Sequence, residues 1–361
     1  MSTLIVKAVK IDAYYPHDNA DTLSILQIGG WTVVAKTDGI MGQENVVYIP
    51  IDAIADKDHP LLGFLEGKRV KTIKLRGVIS QGLCLPIPEV KRYMKSLGGS
   101  LAMDENIDYL LDPKNEVNLA EVLNIRKYEP PPPSEAREFL GGPSGAENED
   151  FRKYTDIEHY ANYVSAVEGE KVWVSEKLHG TSARFAITDG NFLIGTRNRQ
   201  LKYPLPEDQK LTSAYIKVFE RENIGQKLLQ LQNEFPQNKI VAVYGEIAGP
   251  GIQGSKFRYG CEVPTFFLYD IQVDGKYLDH SDFIRLSTKH EFRRVPILAE
   301  NIDVQEAFVH VDGKTTLDEH IREGIVIKPM KEKFDRKLGR VVLKIVSKQY
   351  LLKDMEDYKN D

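Results

Sequence analysis

Cysteine is almost missing from the 361-residue chain: Cys84 and Cys261 are the only two. Two thiols make neither a disulfide framework nor a cysteine-rich zinc site. Such sparing use suits a reducing, cytoplasmic or otherwise intracellular compartment. Long apolar runs are also lacking. Nowhere do about 18 apolar residues follow one another, so no membrane span is expected. The opening MSTLIVKAVKIDAYY has no apolar core of a secretory signal. Nor does one sign of charge dominate, since 48 Lys+Arg against 53 Asp+Glu leave −5. That balance excludes a uniformly basic nucleic-acid binder but not one with local basic patches. The eight histidines show no zinc-ligand spacing. What remains is an ordinary 42% of hydrophobic residues, enough for a packed core, on a length that favours two domains. Nothing in the sequence points to an obligate protein partner.

A boundary stands out at residues 129–150, EPPPPSEAREFLGGPSGAENED. Four consecutive prolines impose an extended chain, and the Gly/Ser/Glu remainder can bury little, so the stretch reads as a linker. Before it, residues 1–128 read as short strands: SILQIGGWTVVAKT, NVVYIPIDAI and KRVKTIKLRGVISQGLCLPI carry β-branched residues between Gly, Asp and Pro punctuation. A small closed β-barrel with one or two helices fits this pattern. Helical periodicity is confined to Pro88–Leu97 and Leu119–Leu123. After the linker, residues 151–361 mix elements. Strands are expected at 171–175, 184–187, 240–247, 265–273, 323–328 and 340–346, and a helix over 212–231 with Thr212 as its N-cap. The fold class is α+β.

Five short segments carry chemistry. Val172–Thr181 (VWVSEKLHGT) runs a strand into Lys177, with Gly180 three residues later. Val241–Glu246 (VAVYGE) ends an apolar strand in a carboxylate. Thr265–Ile271 (TFFLYDI) sets aromatics on both faces of one strand. Glu323–Lys328 (EGIVIK) begins a strand with a carboxylate and ends it with a cation, and Arg340–Ile345 (RVVLKI) holds one inward-capable cation, Lys344. Each alone has a bland reading as surface charge or core packing.

Taken in order, Lys, aromatic-Gly-Glu, aromatic-Asp, Glu-Gly and Lys, these segments resemble the covalent nucleotidyltransferase superfamily of polynucleotide ligases and mRNA capping enzymes, whose catalytic domain is an ATP-grasp-like mixed α/β fold. Thr196–Asn198 (TRN) is similar to the family's further arginine motif. The resemblance implies that Lys177 forms a lysyl–nucleotide bond, that Glu176 and Tyr269 face the base, and that Arg197 and Glu246 hold the ribose. It further implies that Glu323 holds a divalent metal and that Lys344 meets the α-phosphate. His179, Gly180, Val326 and Lys328 complete the implied nucleotide-binding set. Physical chemistry supports these residue types. An amine attacks phosphorus only when neutral, and nearby cations lower a lysine pKa. Mg²⁺ or Mn²⁺ with a lysine neutralises the phosphate as pyrophosphate leaves, and carboxylates suit those hard cations. Two positions depart from the pattern: many relatives have Asp where His179 stands, and many have Lys where Val342 stands, a charge that Lys328 is placed to supply.

DNA ligases and capping enzymes typically continue into a C-terminal OB domain. Only residues 345–361 follow Lys344, so the accessory domain is expected at the N-terminus. There, His17–Leu23, Gly30-Trp31 and Leu75–Leu83 resemble OB-type barrels. From Lys57 to Lys95, nine Lys/Arg face three Asp/Glu, a patch suited to phosphate contacts. An OB barrel, a linker and a minimal nucleotidyltransferase domain resemble one group of RNA ligases that seal nicks in duplexes. That resemblance implies ATP as donor, Mg²⁺ or Mn²⁺, and nicked duplex RNA or an RNA/DNA hybrid as substrate. The alternatives are a GTP-using RNA guanylyltransferase and a non-catalytic RNA-binding protein.

Overall fold

Hairpin chemistry builds the first part of the chain. The computed structural model describes residues 4–128, 144–205, 213–252 and 257–351, and the chain divides into two units near residue 131. Most of the stretch read as a linker, 129–143, lies outside the described residues, as does Thr212.

The first unit holds strands β1 (Lys7–Lys10), β2 (Ala13–His17), β3 (Ala20–Ile28), β4 (Trp31–Lys36), β5 (Asn45–Ile49), β6 (Ala53–Ile54), β7 (Thr72–Leu75), β8 (Val78–Gln81), β9 (Leu83–Pro86) and β10 (Arg126–Lys127). In β3, Ser24, Leu26 and Ile28 are buried in alternation, the two-residue period of a half-buried strand. Ile28 pairs with Trp31 across Gly29-Gly30, both at positive φ, as a two-residue hairpin turn matched to strand twist requires. Sheets β1-β5-β9 and β2-β3-β4 and hairpin β7-β8 form an OB-fold domain. Helices α1 (Thr37–Ile40), α2 (Ile87–Ser96) and α3 (Asp104–Leu111) accompany them. Val90 and Met94, one turn apart on α2, join Ile107 and Leu111 in the core. The helix expected at Leu119–Leu123 is a single turn, in which the Leu123 N–H donates to the Leu119 carbonyl and the Leu119 N–H to the Val6 carbonyl. Four of the nine cations of the basic patch are spent on carboxylates, in Lys68–Glu66, Arg69–Asp52, Lys91–Asp108 and Lys95–Asp104.

The second unit is built on two sheets. Six strands run in the order β15-β14-β13-β16-β17-β18, with β13 (Thr181–Thr188), β14 (Asn191–Thr196), β15 (Gln200–Leu201), β16 (Ile240–Ala248), β17 (Thr265–Val273) and β18 (Lys276–Tyr277). Five run in the order β11-β23-β20-β12-β19, with β11 (Glu158–His159), β12 (Lys171–Lys177), β19 (Ile297–Asp303), β20 (Gly324–Pro329) and β23 (Leu343–Val346). A small hairpin, β21 (Phe334–Asp335) and β22 (Gly339–Arg340), lies between β20 and β23 in the chain. The expected long helix is two, α4 (Ala214–Arg221) and α5 (Ile224–Gln232). They break at Asn223, whose φ of 52° leaves the helical region. Their apolar sides, with α6 (His280–Lys289), cover Val241, Val243, Phe266 and Leu268 of the six-stranded sheet. Residues 144–150, the end of the stretch read as linker, are built onto this unit. Ser144 bridges Leu201, the Gly145 N–H donates to Gln200, and Lys239 pairs with Asp150. Among the described residues no helix is long and apolar enough to cross a membrane.

Candidate active site

Pleating sorts the motif residues before any contact forms. Lys177 pairs with Gly324, and Val326 lies between Ser175 and Lys344 across the sheet. Cross-strand partners share a face, so Lys177, Val326 and Lys344 lie on one side of the five-stranded sheet. On the other sheet, Ser182 pairs with Glu246 and Glu246 with Phe267. The short turn 178–180 joins β12 to β13, and its tightness explains the Lys-x-x-Gly spacing. A Cβ on Gly180 would stand 2.4 Å from the Ile247 carbonyl oxygen and 2.8 Å from Glu246 Cγ. Gly324 is equally obliged, since a Cβ there would meet the Ile345 oxygen at 2.2 Å.

Around Lys177 the charges converge. Its Nζ donates to Glu323 Oε1 at 2.6 Å. Burial works against its charge, but Glu323 and, more distantly, Glu246 outweigh burial and Arg197, and the lysine pKa is held above its ordinary value. The lowered pKa expected from neighbouring cations is thus not what the protein's own residues produce. The ion pair with Glu323 is the physical reason. Burial lowers the pKa of Lys344, helped by Lys177 and Arg197 against Glu158 and Glu323. Burial likewise raises Glu246 to about 8, with Lys177 and Arg197 pulling down and Glu323 pushing up. These mutual influences bring five expected residues, Lys177, Arg197, Glu246, Glu323 and Lys344, into one cluster.

Tyr269 is half-buried on β17. Its hydroxyl shares a hydrogen bond with Ser182 at 3.0 Å, and its ring lies 4.7 Å from that of Tyr154. Lys328 is placed in the interior of the unit. It is 2% exposed, donating to Asp270 Oδ2 and to the Tyr269 carbonyl, both at 2.7 Å. The same carboxylate oxygen also accepts from Arg340 at 2.8 Å and from the Tyr154 hydroxyl at 2.6 Å. In this arrangement the buried lysine holds Asp270 and the backbone of Tyr269. On a pleated strand Glu176 points away from the Lys177 face, and its Oε2 accepts from the Thr316 N–H at 3.1 Å with Arg322 Nε at 3.6 Å. Its Oε2 ties down Thr316 in the loop before β20, while Oε1 is buried with no partner among the described residues. His179 and Gly180 occupy the turn itself.

Sequence reading missed residues 154–159, which touch three motifs. Tyr154 braces Tyr269 and Asp270, Asp156 pairs with Arg197, and β11 lies parallel to Leu343 and Lys344. Burial and the Lys344 charge push His159 down to about 3. No periodic signal marks this segment, because its contacts are made by single residues from one extended stretch.

Comparison with known proteins follows the same outline. The RNA ligase family model matches residues 170–346, and an OB-fold model matches 5–87. Residues 170–346 form an RNA ligase domain. Among solved structures, Naegleria gruberi RNA ligase with PPi is 24% identical, with a TM-score of 0.72 over 98% of this chain and 100% of that one. A mutant of that ligase with AMP and Mn is 25% identical, with a TM-score of 0.72 over 97% and 98%. Another, with ATP and Mn, is 24% identical, with a TM-score of 0.72 over 97% and 99%. No curated protein matches the chain significantly. Every clustered residue of the ligase domain, Lys177, Arg197, Glu246, Glu323 and Lys344, falls inside the matched span, whereas residues 154–159 fall outside it.

Proposed function

We propose that the chain is an ATP-dependent RNA ligase that seals a 3′-OH to a 5′-phosphate in a nicked duplex through a lysyl–AMP intermediate. The observation that carries this reading is Lys177 Nζ at 2.6 Å from Glu323 with Lys344 on the same sheet face, inside a span matched to RNA ligases. Lys177 attacks the α-phosphorus, a P–N bond forms, and the P–O bond to pyrophosphate breaks. A 5′-phosphate oxygen then displaces the lysine, and the 3′-OH finally displaces AMP. Lys177 must first give up its proton and its hold on Glu323. Lys344, its own pKa lowered, meets the negative charge of the α-phosphate. Arg197 and Glu246 hold the ribose side, while Tyr269 and Val326 offer an aromatic and an aliphatic surface for the base.

A divalent metal supplies charge neutralisation on the phosphates when bound. Glu323 fits the role, because its Oε2 is buried with no partner among the described residues. No group of three or more metal-ligating side chains occurs among the described residues, consistent with a cation that keeps waters and phosphate oxygens as its other ligands, as Mg²⁺ does. ATP is favoured over GTP because the similar solved structures hold ATP and AMP with Mn. The OB-fold domain positions the duplex.

Incubation with labelled ATP or GTP tests the reading. Covalent label should come from ATP alone and vanish in Lys177→Ala, with the fold unchanged by circular dichroism. Undiminished label in that variant would sink the assignment, and label from GTP alone would favour a guanylyltransferase.

A further inference from the structure

The position where His179 replaces the aspartate common among relatives is held by a device of its own. His179 Nδ1 shares a 2.8 Å hydrogen bond with the Tyr350 hydroxyl. Its backbone N–H donates to Tyr259 Oη at 2.7 Å. Its ring meets Phe257 edge-on at 5.5 Å, and Phe257 in turn lies 5.8 Å from Tyr350. Both faces of the problem are thereby settled: the turn is anchored through Tyr259, and the ring is clamped through one nitrogen.

Tyr350 is itself tied to the catalytic strands. It lies just beyond β23, and it is only 6% exposed. Its N–H donates to Ser347 Oγ at 3.2 Å, and Ser347, fully buried, donates from Oγ to Asp312 at 2.7 Å and from N to the Glu323 carbonyl at 2.8 Å. A chain of hydrogen bonds therefore runs from Glu323 through Ser347 and Tyr350 to His179, two residues from Lys177. Aspartate in that turn carries its charge without help. An imidazole has two distinct nitrogens and a rotating ring, so it acts reproducibly only when one nitrogen is committed.

We propose that Tyr350 is the positioning residue of His179, fixing its ring so that Nε2 is the nitrogen left to engage the reacting nucleotide or polynucleotide end. The proposal rests on the ligase reading above, and the test separates the two. Lysine labelling and nick sealing are measured for Tyr350→Phe, His179→Ala and the double variant. Tyr350→Phe removes one hydroxyl and should lower kcat for sealing roughly 5- to 10-fold, the worth of one hydrogen bond. KM for ATP and the melting temperature should stay as in the unaltered protein. In the His179→Ala background the same change should have no further effect, since the two residues act as one unit. Wild-type kcat in Tyr350→Phe, an undiminished loss in the His179→Ala background, or a loss that tracks a lowered melting temperature would each overturn the proposal. A readout free of activity is the ¹⁵N-histidine NMR spectrum, with His179 assigned by its absence from His179→Ala. Tyr350→Phe should shift the Nδ1 signal, and an unmoved signal overturns the proposal even if the chain takes no label from ATP. Absence of ATP label from the unaltered chain would count against the ligase reading alone.

Discussion

At the scale of single residues, the site is a problem in charge. Glu323 accepts from the Lys177 amine, and Lys344 shares the Lys177 face of the sheet. Glu323→Ala and Lys344→Ala should each slow lysine labelling by about 10²–10³, the usual cost of one preorganised electrostatic group, as measured by single-turnover labelling. A second consequence concerns His159, pushed down from 6.5 to about 3 by burial and by Lys344. The unfolded chain takes up a proton near pH 6.5 and the folded chain does not. The stability held by the neutral ring is therefore fully present above 6.5 and lost progressively as pH falls toward 3. Between pH 7 and pH 5 the protein should lose about 1–2 kcal/mol more stability than His159→Gln, measured by urea titration at both values. Equal losses would mean that His159 titrates normally.

At the scale of elements, the strand ends do the assembling. The five- and six-stranded sheets are joined by the three-residue turn 178–180, which leaves Gly180 no room for a side chain. Gly180→Ala would drive a Cβ to 2.4 Å from the Ile247 oxygen, and backbone cannot yield as a flexible side chain does. Displacement of β16 would carry Glu246 with it. Labelling should fall at least tenfold, with a melting temperature lowered by several degrees; wild-type labelling in this variant would show that the turn tolerates movement. Strands β16 and β17 were legible almost to the residue from their apolar runs. The helix read over 212–231 was legible in type but not in its break, which falls at Asn223, a residue type that enters the left-handed region more readily than most.

At the scale of the whole molecule, every clustered site residue belongs to the second unit, and so do residues 144–150. A fragment beginning at Ser144 should take label from ATP at Lys177, whereas one beginning at Val164 should not, having lost Tyr154, Asp156 and the β11 strand. Nick sealing by the first fragment should fall well below that of the full chain, and its duplex binding should weaken less steeply with salt because fewer phosphates are neutralised. Equal labelling by both fragments would remove residues 154–159 from the site. The sequence by itself determined the two-part plan and the order of the motifs, because strands and spacings are local properties of the chain. Only the tertiary structure decided that Lys328 meets Asp270, that Glu176 holds Thr316, that Asp156 pairs with Arg197, that His159 lies beside Lys344 and that Tyr350 meets His179. Those assignments depend on which face of a pleat meets which neighbour across tens or hundreds of residues, and no local pattern encodes that.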